Sequence, residues 1–335
     1  MRRIVIAIIV FLAVAFVFFS LTELQSILDA LQKSKLAFLL AAGLIAIISM
    51  VNTSVTFGTL YRLVGLMDDR LHMFLMATAA NFVNIVAPGG GVGGLAVFLD
   101  EAHRRNISTG RVMVVGLLYL LYEYASLLII ISLGFTALSI SGHLNPAELV
   151  AAGFVLALAL GVGFMLFLGY RSSERLGIFL ARLSRLVNSL LRPILHHEVL
   201  RAESAREFSL EIAEGITALR EGRKNLVWPL FFTLNNKALL LCILACTFLA
   251  LGTPFTIGTL IGGFSISMLF IYATPTPSGI GFVEGLLPAA LNNLSVPFTE
   301  AVLITLAYRA VTFWLPFAAG ALAFHSLQSQ GHLSR

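Results

Sequence analysis

Charge is what this 335-residue chain lacks. Asp, Glu, Lys and Arg make up 12% of it, about half the roughly 25% of an ordinary soluble domain. A folded globule of this length could not cover itself with polar surface, which argues against a soluble protein. Cysteine is nearly absent too. Cys242 and Cys246 stand four apart inside an apolar run, which builds neither a disulfide framework nor a metal site; they read as small apolar residues at a helix contact. No Walker loop, Rossmann turn or His-Glu-x-x-His motif occurs, so the nucleotide-binding and zinc-hydrolase signatures are missing. His196-His197 has no further ligand beside it, and no metal or cofactor is expected. Lys and Arg are missing from the stretches 134–146, 252–256 and 292–300.

What is present is apolar. Hydrophobic residues are 58% of the chain, and mean hydropathy is +0.93. A hydrocarbon core about 30 Å thick needs roughly 20 helical residues to cross. Six stretches satisfy this: 4–21, 36–60, 112–135, 147–170, 226–251 and 301–324. Met1-Arg-Arg ahead of the first resembles a secretory signal. The run continues past Ala13 and Ala15 without a cleavable end, so a retained span is predicted.

Basic residues orient these spans. They concentrate at the N-terminus, at 62–70, at 104–111, throughout 171–224 and at Arg335, whereas only Lys33 and Lys35 fall on the other side. The formal charge of +5 therefore reports topology and contact with anionic lipid before nucleic acid, for which nothing argues. The bias predicts a multi-pass protein of the plasma membrane with both termini cytoplasmic.

Two apolar stretches break the pattern. Residues 73–99 lie between basic segments of one side, so they should enter and leave by the same face, turning at Pro88-Gly89-Gly90-Gly91. Residues 257–291 should do the same from the opposite face, turning at 275–281. Complete crossings at these places are the alternative. Both turns open on proline and are rich in glycine, Pro88-Gly-Gly-Gly-Val-Gly and Pro277-Ser-Gly-Ile-Gly, and each precedes a span holding a charge, Glu123 or Arg309. The expected fold is thus an all-α polytopic membrane protein with about six full transmembrane helices and two re-entrant helical hairpins in an inverted repeat. One transmembrane domain covers 1–325, with halves of roughly 1–170 and 225–325. Between them 171–224 forms a cytoplasmic amphipathic insertion, whose basic helix at 171–195 suits an anionic lipid surface.

Charges inside spans cost about 2.5–3.5 kcal/mol each on insertion scales and are functional candidates by default. Glu123, Lys237, Glu284 and Arg309 stand in this position. Two acids and two bases suggest internal pairing, and helix glue is the plainer reading of each. The broken helices favour a site: their glycines admit close backbone approach, and a helix restarting after a turn aims free N–H groups at an anion. The predicted binding set is Lys237, Arg309, Glu123, Glu284, Asn84, Gly89, Gly90, Gly91, Ser278, Gly279 and Gly281. Lys237, Arg309 and the turn N–H groups would hold a phosphate; the two acids would meet a cationic group or carry protons.

The 84–94 turn, Tyr119-Leu-Leu-Tyr-Glu123-Tyr, Pro277-Ser-Gly-Ile-Gly-Phe-Val-Glu284-Gly and Tyr308-Arg309 together resemble the membrane domain of lysylphosphatidylglycerol synthetases. The resemblance implies transbilayer movement of a polar lipid. That family's soluble aminoacyl-transfer domain has no counterpart here, so a stand-alone flippase domain that makes no aminoacylated lipid is expected. A membrane-embedded enzyme acting on lipid or polyprenyl phosphate and a proton-coupled solute transporter remain alternatives; a homo-oligomer is left open.

Overall fold

The computed structural model describes residues 35–86, 93–140, 142, 146–172, 174–179, 181–182, 210, 212–213, 215–219, 225–274 and 276–333. The span expected at 4–21, the turn at Gly89, Gly90 and Gly91, and most of the helix expected at 171–195 lie outside these residues.

Every regular element among the described residues is helical. α1 is Leu36–Leu63, α2 Arg70–Val86, α3 Leu95–Arg104, α4 Thr109–Ile140 and α5 Pro146–Arg171. After the insertion come α6 Val227–Leu251, α7 Ile257–Ala273, a 3₁₀ turn at Pro277–Gly279, α8 Phe282–Asn293 and α9 Phe298–Arg309. A π-helical segment, Ala310–Trp314, joins α9 to α10, Leu315–Leu333. Five helices are long and apolar enough to cross a membrane: α1, α4, α5, α6 and the α9–α10 rod over Phe298–Ser329. The protein is a multi-pass membrane protein.

The remaining helices are short. At about 1.5 Å per residue, the 17-residue α2 and α7 each reach about 26 Å. The 10-residue α3 and 12-residue α8 reach about 15 and 18 Å. All fall short of a core about 30 Å thick. They form two helical hairpins, α2–α3 and α7–α8, as the apolar stretches at 73–99 and 257–291 predict.

Local chemistry sets the ends of these elements. Gly252 takes the left-handed conformation that closes α6, where a side chain would be strained. Thr256 opens α7 by accepting from the Thr259 N–H at 3.0 Å. In the first hairpin, Gly94 N–H donates to Asn84 Oδ1 at 2.5 Å, tying the end of α2 to the start of α3.

Lipid offers no hydrophobic drive between helices, so packing and hydrogen bonds must hold them together. The most extensive contact is α1 on α6, and amides stitch it. Asn52 donates to the Phe232 carbonyl and accepts from Asn235, while Asn236 donates to Ser49 and Thr53. Around this pair the helices exchange partners: α4, which follows the first hairpin, packs on α7 of the second, and α10, which follows the second, packs on α2 of the first. Gly134 of α4 allows its approach to α7, because a Cβ there would collide with Ser265. α4 is the most buried of the five spans and α5 the least; Phe154, Leu160 and Phe167 of α5 face outward. Cys246 packs against the core, but Cys242 is exposed, which corrects the reading of both as helix-contact residues.

A ring of charges closes the foot of the first hairpin. His72 of α2 meets Asp68 at 2.7 Å and Glu101 of α3 at 3.2 Å, and Arg105 donates to Asp68 at 2.9 Å. Burial of Asp68 works to raise its pKa, but hydrogen bonds from Arg105 and His72 outweigh it and hold the carboxyl below its ordinary value of 3.8. Because the folded-state value lies below the unfolded one, the ring stabilises the fold at neutral pH and weakens as pH falls below 3.8. Asp68→Asn should therefore lower the melting temperature of the detergent-solubilised protein at pH 7 and flatten its decline on acidification. Gly134→Val should force α4 off α7, destabilising by about 1–3 kcal/mol in the same thermal assay.

Candidate functional site

A cavity of ≈ 220 Å³ lies between the two hairpins and the long helices. It is smaller than the roughly 300 Å³ at which pockets for drug-sized ligands begin, so it has room for a small group only. Its wall draws on α1, α2, α4, α6, α7, the Pro277–Gly279 turn and the α9–α10 rod. α2 of the first hairpin contacts the turn of the second directly.

Both intramembrane bases and both acids converge here as two ion pairs. Lys237 of α6 donates to Glu123 of α4, residues that are 1% and 7% exposed. Tyr272 of α7 donates to the same Glu123 oxygen at 2.6 Å, and its ring lies 5.5 Å from the Lys237 ammonium. The acid therefore stands between a base and a phenol, each from a different helix. This pair joins the part of the chain before the insertion to the part after it.

The second pair is local to the second hairpin. Arg309 Nε donates to Glu284 Oε1 at 2.5 Å, and Glu284 Oε2 accepts from the Gly281 N–H at 2.7 Å. Glu284 thus sits at the positive end of α8, where a first-turn carboxylate complements the free N–H groups. The turn that aims this end runs through left-handed backbone: Gly279 and Gly281 adopt it freely at φ 69° and 81°, whereas Ser278, at 48°, is strained there. Arg309 Nη1 reaches the Ser278 carbonyl at 3.4 Å, and its guanidinium lies 4.5 Å from the centre of the Phe313 ring, a cation–π contact. The π-helical segment begins at the next residue.

Four polar atoms of cavity-lining residues are buried with no hydrogen-bond partner among the described residues: Thr78 Oγ1 of α2, Thr276 Oγ1 before the turn, and Tyr308 Oη and Arg309 Nη2 of α9. Orphaned polar atoms cost about 1–3 kcal/mol each when buried, so their concentration in one chamber marks a place prepared for a polar guest. Lys237 is already engaged by Glu123; Arg309, 3% exposed, is the base that presents an unpartnered donor.

Of the predicted set, Lys237, Arg309, Glu123, Asn84 and Ser278 line the cavity. Glu284, Gly279 and Gly281 do not line it, although Glu284 bonds both Arg309, which does, and Gly281; Gly89, Gly90 and Gly91 lie outside the described residues. Sequence reasoning missed Tyr272, Thr78 and Thr276, which carry no charge and follow no motif. It also passed over Asn52; an amide in the middle of an apolar span was the available signal. Among the described residues no group of three or more His, Cys, Asp or Glu could hold a metal ion.

A protein-family model described as "Lysylphosphatidylglycerol synthase TM region" matches residues 4–320. No curated protein matches the chain.

The two pairs make a stability prediction. Lys237→Met strands Glu123 in an apolar environment and should cost about 3–5 kcal/mol. Lys237→Met with Glu123→Gln should recover most of that loss, as read by thermal unfolding in detergent.

Proposed function

The chain belongs to the lysylphosphatidylglycerol synthase transmembrane-region family, and from that premise we propose that it moves a polar or anionic lipid across the bilayer, the head group passing through the cavity between the hairpins. The observation that carries this reading is the buried, unpartnered Nη2 of Arg309 in a chamber reached by both hairpins. A guanidinium edge in low dielectric suits a phosphate, with charge-assisted hydrogen bonds that thread two donors onto two oxygens. Thr276, Thr78 and Asn84 supply neutral partners for the remaining oxygens. Glu123, braced by Lys237 and Tyr272, meets a cationic group or takes a proton.

In this reading the hairpins are re-entrant and the halves, 1–170 and 225–325, form an inverted repeat. The short lengths of α2, α3, α7 and α8 support the first statement. The exchanged contacts, α4 with α7 and α10 with α2 about the α1–α6 pair, support the second, since a two-fold axis through the middle of the bilayer produces such an exchange. The protein resides in the plasma membrane with both termini cytoplasmic, and the basic composition of 171–195 suits contact with anionic head groups. Its action changes where a lipid is, not what it is.

The test is translocation of fluorescent anionic phospholipid in vesicles containing the purified protein. Wild type should equilibrate the label between leaflets with lipid mass unchanged. Arg309→Ala should slow this by about tenfold or more, the loss of one charge-assisted contact of roughly 1.5–3 kcal/mol. Equal rates in the two proteins would remove the phosphate-holding role.

A further inference from the structure

Glu284 occupies the place an anion would take. One of its oxygens accepts from the Gly281 N–H at the start of α8 and the other from Arg309 Nε, while Arg309 Nη2 stands buried and unpartnered at the cavity wall. We propose that Glu284 is a tethered competitor: its carboxylate holds the Arg309 site between transport cycles, and an entering lipid phosphate binds by displacing it. The proposal rests on the reading of Arg309 as the phosphate-holding residue.

Charge balance requires exchange rather than addition. Lys237, Arg309, Glu123 and Glu284 sum to zero, with both bases already matched. A phosphate arriving while Glu284 stayed in place would set two anions against one guanidinium, with little water to screen them. Buried like charges at such distances disfavour each other strongly. If instead the phosphate takes the Nε–Nη2 edge, the guanidinium again meets a single anion bidentately.

The geometry also picks out which partner moves. Arg309 and Lys237 are nearly wholly buried and Glu123 little less so, whereas the Glu284 side chain is 18% exposed. It belongs to the first turn of α8, beside the exposed Gly281 and Phe282. Glu284 can swing toward that accessible side, keeping its contact with the helix end, without opening the core. The Arg309 guanidinium is braced by the Phe313 ring and the Ser278 carbonyl, so it stays.

A competitor on a tether solves a difficulty every carrier faces. A buried guanidinium facing a phosphate binds it tightly, yet passage demands that binding be weak enough to release. A carboxylate held nearby retakes the guanidinium as the phosphate loosens, lowering affinity and speeding departure.

The test is calorimetric titration of the purified full chain in detergent with short-chain phosphatidylglycerol as the probe. Glu284→Gln should bind about fivefold or more tighter than wild type, since the neutral amide competes poorly for a guanidinium. Glu284→Asp keeps the charge and the first-turn acid but is one methylene too short to reach Arg309, and should also bind tighter. Arg309→Ala should lose binding in the wild-type and Glu284→Gln backgrounds alike. Unchanged or weaker binding by folded Glu284→Gln overturns the competitor while leaving the Arg309 site standing. Should Glu284→Gln fail to fold, unchanged binding by Glu284→Asp does the same. Arg309→Ala binding as tightly as wild type overturns the site itself.

Discussion

The structure depends on how it compensates charge placed where water cannot reach. A lone ammonium in a bilayer would distort the membrane or lose its proton, and a lone guanidinium, which keeps its charge, could only distort it. Here each base has its carboxylate, and each carboxylate has a second donor, Tyr272 for Glu123 and the Gly281 N–H for Glu284. The two pairs are not equivalent. Lys237–Glu123 links helices 114 residues apart in sequence and is nearly dry. Arg309–Glu284 spans 25 residues and leaves one nitrogen of the arginine, Nη2, without a partner among the described residues. The first pair resembles a bolt between helices, the second a handle inside the chamber.

Around those charges the fold is held together by polar stitches rather than by exclusion of water. The Asn52–Asn235 and Asn236–Ser49 contacts sit in the largest helix interface. Individually such bonds contribute only about 0.6 kcal/mol in a membrane, so their value lies in fixing the register of α1 on α6. That register matters because Lys237 follows Asn236 directly and Thr53 and Ser49 line the same cavity. The residues that align the two helices are also those that set the depth of the ammonium.

The spans were legible because long apolar runs are bounded by charge and turn residues. The stretch expected at 36–60 is helix Leu36–Leu63, and 226–251 is Val227–Leu251. The hairpins were legible from their turns and their arms: 257–291 breaks at Pro-Thr-Pro-Ser-Gly, and its short returning arm is α8, Phe282–Asn293. The four charged residues of the site were legible because each is costly in an apolar run. Partnership was not. Nothing local says that Lys237 meets Glu123 rather than Glu284, because the choice is made by helix packing. Tyr272 was hidden for another reason: a tyrosine at the end of an apolar helix is ordinary until its hydroxyl is seen to reach an acid. Thr78 and Thr276 are hidden likewise, being small residues whose significance lies only in what they fail to touch.

The wide turn over Ala310–Trp314 has a consequence for how one rod serves two neighbours. A π segment widens the helix by one residue, and this one starts immediately after Arg309. On its near side α9 packs against α8; on its far side α10 packs against α2, where a methyl group on Gly320 would strike Phe82 and the Thr78 carbonyl. Arg309, Phe313 and Pro316 line the chamber between these contacts. One helix thus braces both walls of the chamber.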